Sequence, residues 1–302
     1  MSKQKAPGEG ASVLGGQVSY TIEQTSKDVV TLRHTVAAGW TQRYLLLADV
    51  HFDSPFCDRR RLKAYLQQAQ ETGAGVFCFG DFYDAMQSRD DRRSDKSDLM
   101  PKYKAGDYIN RLVDDAAEFL QPYASNIVFL SMGNHETAIL KHLEVDILLL
   151  LAGRLNVAKM GYSGFVRFLF SRTGGKGRDS SGNTRSVMFF HHGSGGGGEV
   201  TKGVMRAQRQ SAWVGDADIF VGGHVHESWR LESERLRLSA TGQVYRDRVL
   251  HLCLPTLKDE FELSGGYHIE KGRPPKPTGA YWLEFRHDSA EHGRVDFDVA
   301  RG

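Results

Sequence analysis

Five short apolar runs, each followed within four residues by histidine, aspartate or asparagine, constrain the fold of this chain more than any other feature. The second run, residues 75–79, ends in Gly80-Asp81, and Asp84 follows three positions later. A buried strand that stops at a carboxylate places an anion at the carboxyl edge of a sheet, where open α/β folds keep their binding sites. The polar groups that follow the five runs are Asp49/His51, Asp81/Asp84, Asn134/His135, His191/His192 and His224/His226. We therefore predict that five strands end at one shared site.

The order of apolar runs and amphipathic stretches predicts an α/β fold. Residues 43–48 and 75–79 are typical of buried strands, and between them Asp58 can cap a helix over residues 59–72 that Gly73 ends. This β-α-β order starts a parallel sheet. Further helices are predicted over residues 105–123, 137–154 and 199–213. A hairpin is predicted over residues 17–36 and an antiparallel region over residues 228–254. Further single strands are predicted at residues 127–130, 165–170, 186–190, 218–221, 281–285 and 295–299.

Length, net charge and cysteine content limit the class of protein to which this chain can belong. The chain has 302 residues, which fits a polar disordered tail over residues 1–16 and a single domain over residues 17–302. The formal net charge of +2 provides no global field that would attract nucleic acid. Three scattered cysteines, Cys57, Cys78 and Cys253, argue against a disulfide framework or a thiolate zinc site. Without an apolar leader or membrane-length run, we expect a soluble, cytoplasmic protein that binds no membrane.

The residue types at the strand ends favour a metal site. A single buried histidine or aspartate is usually a hydrogen-bonded core residue, and Gly-Asp alone is usually a turn. Five such ends in succession are difficult to obtain by chance. Imidazole, carboxylate and amide without thiolate suit divalent Mn, Fe, Co, Ni or Zn. Because structural metal sites are closed and usually thiolate-rich, a purely structural metal is disfavoured.

With their neighbouring glycines, the five groups form an ordered set of motifs. They are Asp49-x-His51, Gly80-Asp81-x-x-Asp84, Gly133-Asn134-His135-Glu136, His192-Gly193 and Gly223-His224-x-His226. In this order they resemble the motifs of the calcineurin-like metallophosphoesterases. The His-His-Gly-Ser-Gly-Gly-Gly stretch that starts at His191 also resembles phosphoesterases predicted in bacteria and their phages, whose location would be the cytoplasm of a bacterial or phage-infected cell.

The resemblance implies a fold and a set of roles. The fold is a four-layer α/β/β/α sandwich with mixed sheets, and the cofactors are two divalent metal ions, with Mn favoured over Fe, Zn, Co and Ni. The implied ligands are Asp49, His51 and His226 for the first metal and Asn134, His192 and His224 for the second, with Asp81 bridging both. A metal-activated water would attack phosphorus in line. His135, oriented by Asp84, would protonate the leaving oxygen or help to hold the phosphate.

The middle histidine is ambiguous, because the family motif supplies one ligand where this chain has two. Successive residues on a strand point to opposite faces, so one of them is expected to bind. His192 is favoured since it directly precedes Gly193. His191 is the alternative ligand, and otherwise an outer or substrate-facing imidazole.

Differences from the family motifs narrow the range of substrates that this chain is expected to hydrolyse. Protein phosphatases of this superfamily follow the second aspartate with Arg-Gly, whereas Ala85-Met86 follow Asp84 here. The terminal His224-x-His226 pair is closer to phosphodiesterases and nucleases. We therefore expect a hydrolase that cleaves a phosphodiester, with nucleic acid among its candidate substrates and no deducible protein partner. The alternatives are a phosphomonoesterase for a small substrate and an inactive binding scaffold of the same fold.

Two loops are candidates for substrate contact. Residues 85–104 form a predicted polar loop of mixed charge next to the site, which is also typical of a solvated surface loop. Residues 271–277 form a predicted basic loop, in which Lys271, Arg273 and Lys276 would bind phosphates next to the scissile one. The glycines at 195–198 fit no nucleotide-binding signature and predict a flexible loop.

Overall fold

Two mixed sheets lie face to face in the computed structural model, which describes residues 19–37, 39–85, 100–104, 107–172, 184–198, 200–239, 241–261, 272–287 and 295–302. The strands are β1 Ser19–Ser26, β2 Val29–Val36, β3 Thr41–Leu47, β4 Gly75–Phe79, β5 Ile127–Ser131, β6 Ala158–Met160, β7 Ser163–Arg172, β8 Thr184–His191, β9 Ile219–Gly222, β10 Trp229–Leu238, β11 Val244–Cys253, β12 Tyr281–His287 and β13 Val295–Arg301. The helices are α1 Arg59–Thr72, α2 Tyr108–Leu120, α3 Asn134–Leu143, α4 Ile147–Leu155 and α5 Val204–Trp213, with 3-10 turns at Pro101–Tyr103 and Gln121–Asn126.

The strand directions bring the polar strand ends to one edge. The six-stranded sheet has the order β13-β12-β3-β4-β5-β6, and β3 to β6 are parallel. The seven-stranded sheet has the order β1-β2-β7-β8-β9-β11-β10, in which β8, β9 and β11 are parallel. Since parallel neighbours end at the same edge, the carboxyl ends of β3, β4 and β5 lie together, and so do those of β8 and β9.

The core explains why the predicted strands are continuous apolar runs. On β4, Phe77 and Phe79 pack in the cluster between the two sheets, whereas Val76 and Cys78 pack in the cluster beneath the helices. Phe79 meets Phe190 of the facing sheet, with ring centroids 5.4 Å apart. A strand buried on both faces needs apolar side chains at every position.

The outer helical layers complete the predicted α/β/β/α sandwich, but the helices of the two layers differ in how deeply they are buried. Helices α1, α2 and α4 bury apolar faces against the six-stranded sheet. Over the seven-stranded sheet, α5 has no buried residue, and Trp213 is 65% exposed. The fold class predicted from the sequence is correct. No described helix is long and apolar enough to cross a membrane.

Several local predictions are confirmed and one is wrong. The bounds of α1, its Asp58 cap and its Gly73 end are as predicted, as are the first hairpin and the β10–β11 pair. The single helix predicted over residues 137–154 is instead two helices. Glu144 adopts a left-handed conformation with φ 56°, and the Asp146 side chain accepts a hydrogen bond from Leu149 N, which starts α4 anew. The predicted tail, residues 1–16, lies outside the described residues.

A buried histidine on β2 makes the stability of the fold depend on pH. His34 Nδ1 lies 3.0 Å from Leu169 O, and its Nε2 pairs with the Tyr44 hydroxyl. Burial lowers the pKa of His34 to about 4, although the bond to Leu169 O acts in the opposite direction. In the unfolded chain the histidine pKa is about 6.5, so the unfolded state binds more protons between these two values.

We therefore expect His34 to contribute a loss of stability as the pH falls through this window. Between pH 7.5 and pH 5 the contribution should be about 2 kcal/mol of unfolding free energy. Urea denaturation at both pH values would measure it for the wild type and for His34→Gln, whose amide titrates at neither pH. The variant should lose about 2 kcal/mol less than the wild type over the same step. An equal loss in both proteins would contradict the prediction.

Candidate metal centre

Seven predicted ligand side chains meet at the edge where the strands end. Asp49 and His51 follow β3, Asp81 follows β4, and Asn134 begins α3 after β5. From the other sheet, His192 follows β8, and His224 and His226 follow β9. His and Asp ligand atoms, buried except for the partly buried His224 and His226, lie within 4.8 Å of one another in three overlapping groups. The groups are Asp49/His51/His226, His51/Asp81/His135 and Asp81/His192/His224.

The first group places two imidazoles against one buried carboxylate. The Nε2 atoms of His51 and His226 are 3.1 Å apart, and His226 Nε2 lies 3.4 Å from Asp49 Oδ1. His51 and Asp49 are almost fully buried. The Asp49 carboxylate also accepts the backbone N–H of His224 at 2.8 Å and 3.0 Å. Two ring nitrogens that face one another beside a carboxylate converge in the way that ligands converge on a cation.

The second group is centred on His192. Its Nδ1 donates to Phe79 O at 2.8 Å, while its Nε2 lies 3.1 Å from both Asp81 Oδ2 and Asn134 Oδ1. His224 Nδ1 lies 2.6 Å from the same Asn134 oxygen. Burial by itself would lower the pKa of His192, but the nearby Asp81 and Asp49 carboxylates raise it to about 10. The field at Nε2 therefore favours positive charge, as a cation site requires.

Asp81 belongs to both sides of the site. Its Oδ2 faces His192, and its Oδ1 accepts the backbone N–H of His135 at 2.9 Å. His51 shares a group with Asp81 as well as with Asp49. Burial opposes ionisation, but the charges of His192 and His135 hold the pKa of Asp81 well below its usual range. Asp81 is thus an ionised carboxylate between two sets of ligand atoms.

His135 and Asp84 contact one another, chiefly through the main chain of Asp84. His135 Nδ1 lies 2.6 Å from the Asp84 backbone carbonyl and 3.7 Å from the Asp84 carboxylate. That carboxylate lies closer to His51 Nδ1, at 2.9 Å. The main chain of Asp84 therefore orients His135, and its side chain faces His51.

The backbone is strained at the site. Asp49, His51, Asp81, His224 and His226 all have left-handed φ values, between 49° and 72°. Such conformations cost about 1–3 kcal/mol each in a residue with a Cβ, and they cluster where function requires a particular side-chain direction. This concentration of strain marks the strand ends as a functional site rather than as ordinary turns.

Two motif glycines allow close approach to the carboxylates. A Cβ on Gly133 would overlap Asp81 Oδ1 and its backbone N, and a Cβ on Gly223 would overlap Asp49 Oδ2. Any larger residue would displace a candidate ligand. Glycine precedes Asn134 and His224 because any side chain at either position would overlap one of these carboxylates.

Sequence reasoning missed three supporting residues. Glu136, fully buried, accepts the backbone N–H groups of Asp81, Tyr83 and Gly133 at 3.1, 2.9 and 2.8 Å. Burial and the Asp81 charge raise the pKa of Glu136 to about 7. Asp53 accepts the N–H groups of Asp84 at 2.6 Å and Ala85 at 2.9 Å, and Lys258 contacts Asp84. Glu136 lies within a motif and could have been found, whereas nothing local marks Asp53 or Lys258.

His191 lies on the other side of the strand from His192. Its Nδ1 accepts the backbone N–H of Gly193 at 3.1 Å, and its side chain is half-buried. It lines a small, half-open cleft under α5, together with Arg206, Gln210 and Phe220. The structure places His192 among the candidate ligands and His191 in this neighbouring cleft.

The predicted loops are only partly within the described residues. Residues 86–99 and 262–271 lie outside them. In the basic loop, Lys276 Nζ lies 2.6 Å from Glu227 Oε1, and Lys202 Nζ lies 3.7 Å from Glu227 Oε2. Glu227, the residue after His226, therefore contacts two lysines.

Comparisons with known proteins add little. No family model and no curated protein matches the sequence. Among solved structures, the chain is similar to Vps29 of Chaetomium thermophilum at 8% identity and a TM-score of 0.31, over 86% of this chain and 96% of that chain. A likeness of this size carries no argument about function. The arrangement itself defines an α/β sandwich whose buried His and Asp clusters could hold metal ions.

Proposed function

We propose that this protein is a dinuclear metal-dependent phosphoesterase of the calcineurin-like type that hydrolyses a phosphodiester. One observation carries the proposal: Asp81 shares one group of ligand atoms with His51 and His135 and another with His192 and His224, so its carboxylate lies between the two sets of proposed ligands. Two metals close to one another need an anionic bridge, and a carboxylate in this position can supply it.

The donor atoms of the proposed ligands suit a pair of divalent metal ions. The proposed ligands are Asp49, His51 and His226 for one metal, Asn134, His192 and His224 for the other, and Asp81 for both. Imidazole and oxygen donors without thiolate favour divalent first-row metals, and we propose Mn. When bound, such a pair would polarise phosphoryl oxygens and lower the pKa of a water molecule.

His135 is the proposed proton donor. Its Nδ1–H donates to the Asp84 carbonyl, which fixes the ring, and its Nε2 lies on the side of Asp81, 3.8 Å from Oδ2. An imidazole held at one nitrogen can give a proton from the other to a leaving oxygen. The Asp84 carbonyl sets the ring direction in this proposal.

Two features favour a diester over a monoester. His192 and Gly193 line a half-open cleft with Arg206 in its wall, and in this proposal the second ester arm lies at the mouth of that cleft, near the arginine. Lys202 and Lys276 share the single Glu227 carboxylate, which leaves one net positive charge for a neighbouring phosphate in this proposal. An inactive scaffold is disfavoured because every proposed ligand position carries a ligating side chain.

The test combines metal analysis with a substrate panel. Mn-supplemented wild-type protein would be assayed on bis-p-nitrophenyl phosphate, p-nitrophenyl phosphate, single- and double-stranded DNA and a cyclic nucleotide, beside Asp81→Asn. We expect the wild type to hold about two metal equivalents and to prefer a diester. Asp81→Asn should lose metal and lower kcat/KM by about 10³-fold, or roughly 4 kcal/mol.

A matched control is Asp146→Asn, at the N-cap of α4, where asparagine caps equally well and activity should be unchanged. If the wild type and Asp81→Asn hydrolysed every substrate equally poorly, the enzymatic proposal would fail. A wild type that binds metal but cleaves only the monoester would select the phosphomonoesterase alternative.

A further inference from the structure

We propose that Lys258 is a positioning residue of the metal centre. It holds the Asp84 carboxylate against His51 Nδ1 and thereby directs His51 Nε2 toward Asp49 and His226. This inference rests on the proposed function, because it requires that the first group, Asp49/His51/His226, binds a metal. Lys258 belongs to none of the motifs, and it follows β11 in a segment with no metal-ligand pattern.

Lys258 is buried and its ammonium group is fully engaged by carboxylates. Its side chain is 7% exposed, and Nζ lies 3.1 Å from Asp84 Oδ2, 3.2 Å from Asp84 Oδ1 and 2.5 Å from Glu260 Oε1. Removing an ammonium group from water costs several kcal/mol unless its partners are well placed. The contact with both Asp84 oxygens therefore defines the position of that carboxylate.

The segment that carries Lys258 also holds the main chain of Asp49. The Thr256 hydroxyl donates to Asp49 O at 2.7 Å, and Leu257 N donates to the same oxygen at 3.0 Å. The Lys258 N–H donates to the Thr256 hydroxyl at 2.9 Å. Residues 256–258 thus fix Asp49 directly and reach His51 through Asp84.

The contact between His51 Nδ1 and Asp84 determines that Nε2 is the nitrogen of His51 that faces the other ligands of the first group. With Nδ1 placed 2.9 Å from Asp84 Oδ1, the other ring nitrogen, Nε2, faces His226 at 3.1 Å from its Nε2. Partners that orient a ligating histidine are typically worth about 10–100-fold in metal affinity. Asp84 also lies next to a second buried carboxylate, since Asp53 accepts the Asp84 backbone N–H at 2.6 Å. Lys258 supplies the positive charge that keeps Asp84 facing His51 despite that neighbour.

The test measures Mn²⁺ binding to the metal-free protein by titration calorimetry and electron paramagnetic resonance. Lys258→Met keeps the aliphatic stem and removes the charge, and it should weaken one of two Mn²⁺ sites by about 10–100-fold. Lys258→Arg restores a cation and should recover most of the affinity. The control is Lys159→Met, which removes a half-buried lysine paired with Asp146 at 2.6 Å and should leave both sites unchanged.

The Asp84→Asn and Asp84→Asn/Lys258→Met variants separate positioning from general stability. If Lys258 acts through Asp84, the double variant should bind Mn²⁺ no more weakly than Asp84→Asn alone. The double variant removes the Asp84 charge together with the lysine that faces it, so it tests the proposal even if Lys258→Met does not fold. Additive losses would overturn the inference, and so would wild-type Mn²⁺ affinity in folded Lys258→Met. A wild type that binds no Mn²⁺ would instead refute the proposed function itself.

Discussion

His192→Ala is expected to remove one of the two proposed metals, whereas His191→Ala is expected to leave both in place. His192 Nε2 lies 3.1 Å from both Asp81 and Asn134, and its side chain is fully buried. Alanine there deletes a ligand that no described neighbour can replace. Metal content should fall from about two equivalents to about one, and kcat/KM should fall by about 10³-fold.

The adjacent histidine makes an internal control, because both variants change the same residue type on the same strand end. His191 faces the cleft with Arg206, so its alanine variant can change KM while metal content stays at the wild-type level. Elemental analysis of both purified variants, beside kinetics on a diester, measures the difference. Full occupancy in His192→Ala together with metal loss in His191→Ala would reverse the ligand assignment.

Gly133→Ala is expected to inactivate the protein although it adds a single methyl group. That methyl group would overlap Asp81 Oδ1 and its backbone N. Overpacking of this kind costs about 1–3 kcal/mol of stability, and a displacement of about 1 Å at a reacting centre can cost about 10²-fold in rate. We therefore expect lower metal affinity and at least about a 10²-fold loss of kcat/KM.

The matched control is Gly153→Ala in α4, where an added Cβ has no described atom within 4 Å. A helical glycine that accepts a Cβ freely should gain about 0.5–1 kcal/mol of stability on this change. Thermal unfolding and metal titration of both variants distinguish a local effect at Asp81 from a general intolerance of glycine replacement. Wild-type metal affinity in Gly133→Ala would contradict the proposed close approach.

Much of the fold could be predicted because the information is local. The apolar run at residues 75–79 is buried on both faces, and α1 begins and ends where its capping residues predict. The predicted helix over residues 137–154 was wrong because apolar periodicity continues across the break at Glu144 and Asp146. Periodicity records which face is buried, but it does not record where capping hydrogen bonds divide a helix.

The candidate site, like the fold, could be predicted from the sequence only where the information is local. Residue types at the strand ends were sufficient to predict that Asp49, Asp81 and one of His191 and His192 would meet, since strand ends gather at one edge of a parallel sheet. The pairing of individual atoms was not predictable. The Asp84 carboxylate faces His51 and Lys258 rather than His135, and Lys258 lies 174 positions from Asp84 in the chain.

By itself, the sequence determined the α/β order of strands and helices and the residue types at the strand ends that could bind a metal. These follow from apolar periodicity and from the chemistry of single residues, which act within a few positions along the chain. Only the tertiary structure decided which of His191 and His192 faces Asp81, which atoms of Asp84 face which histidine, and that Lys258 supports the site. Those outcomes depend on contacts between the two sheets, where packing and burial bring together groups that no local pattern relates.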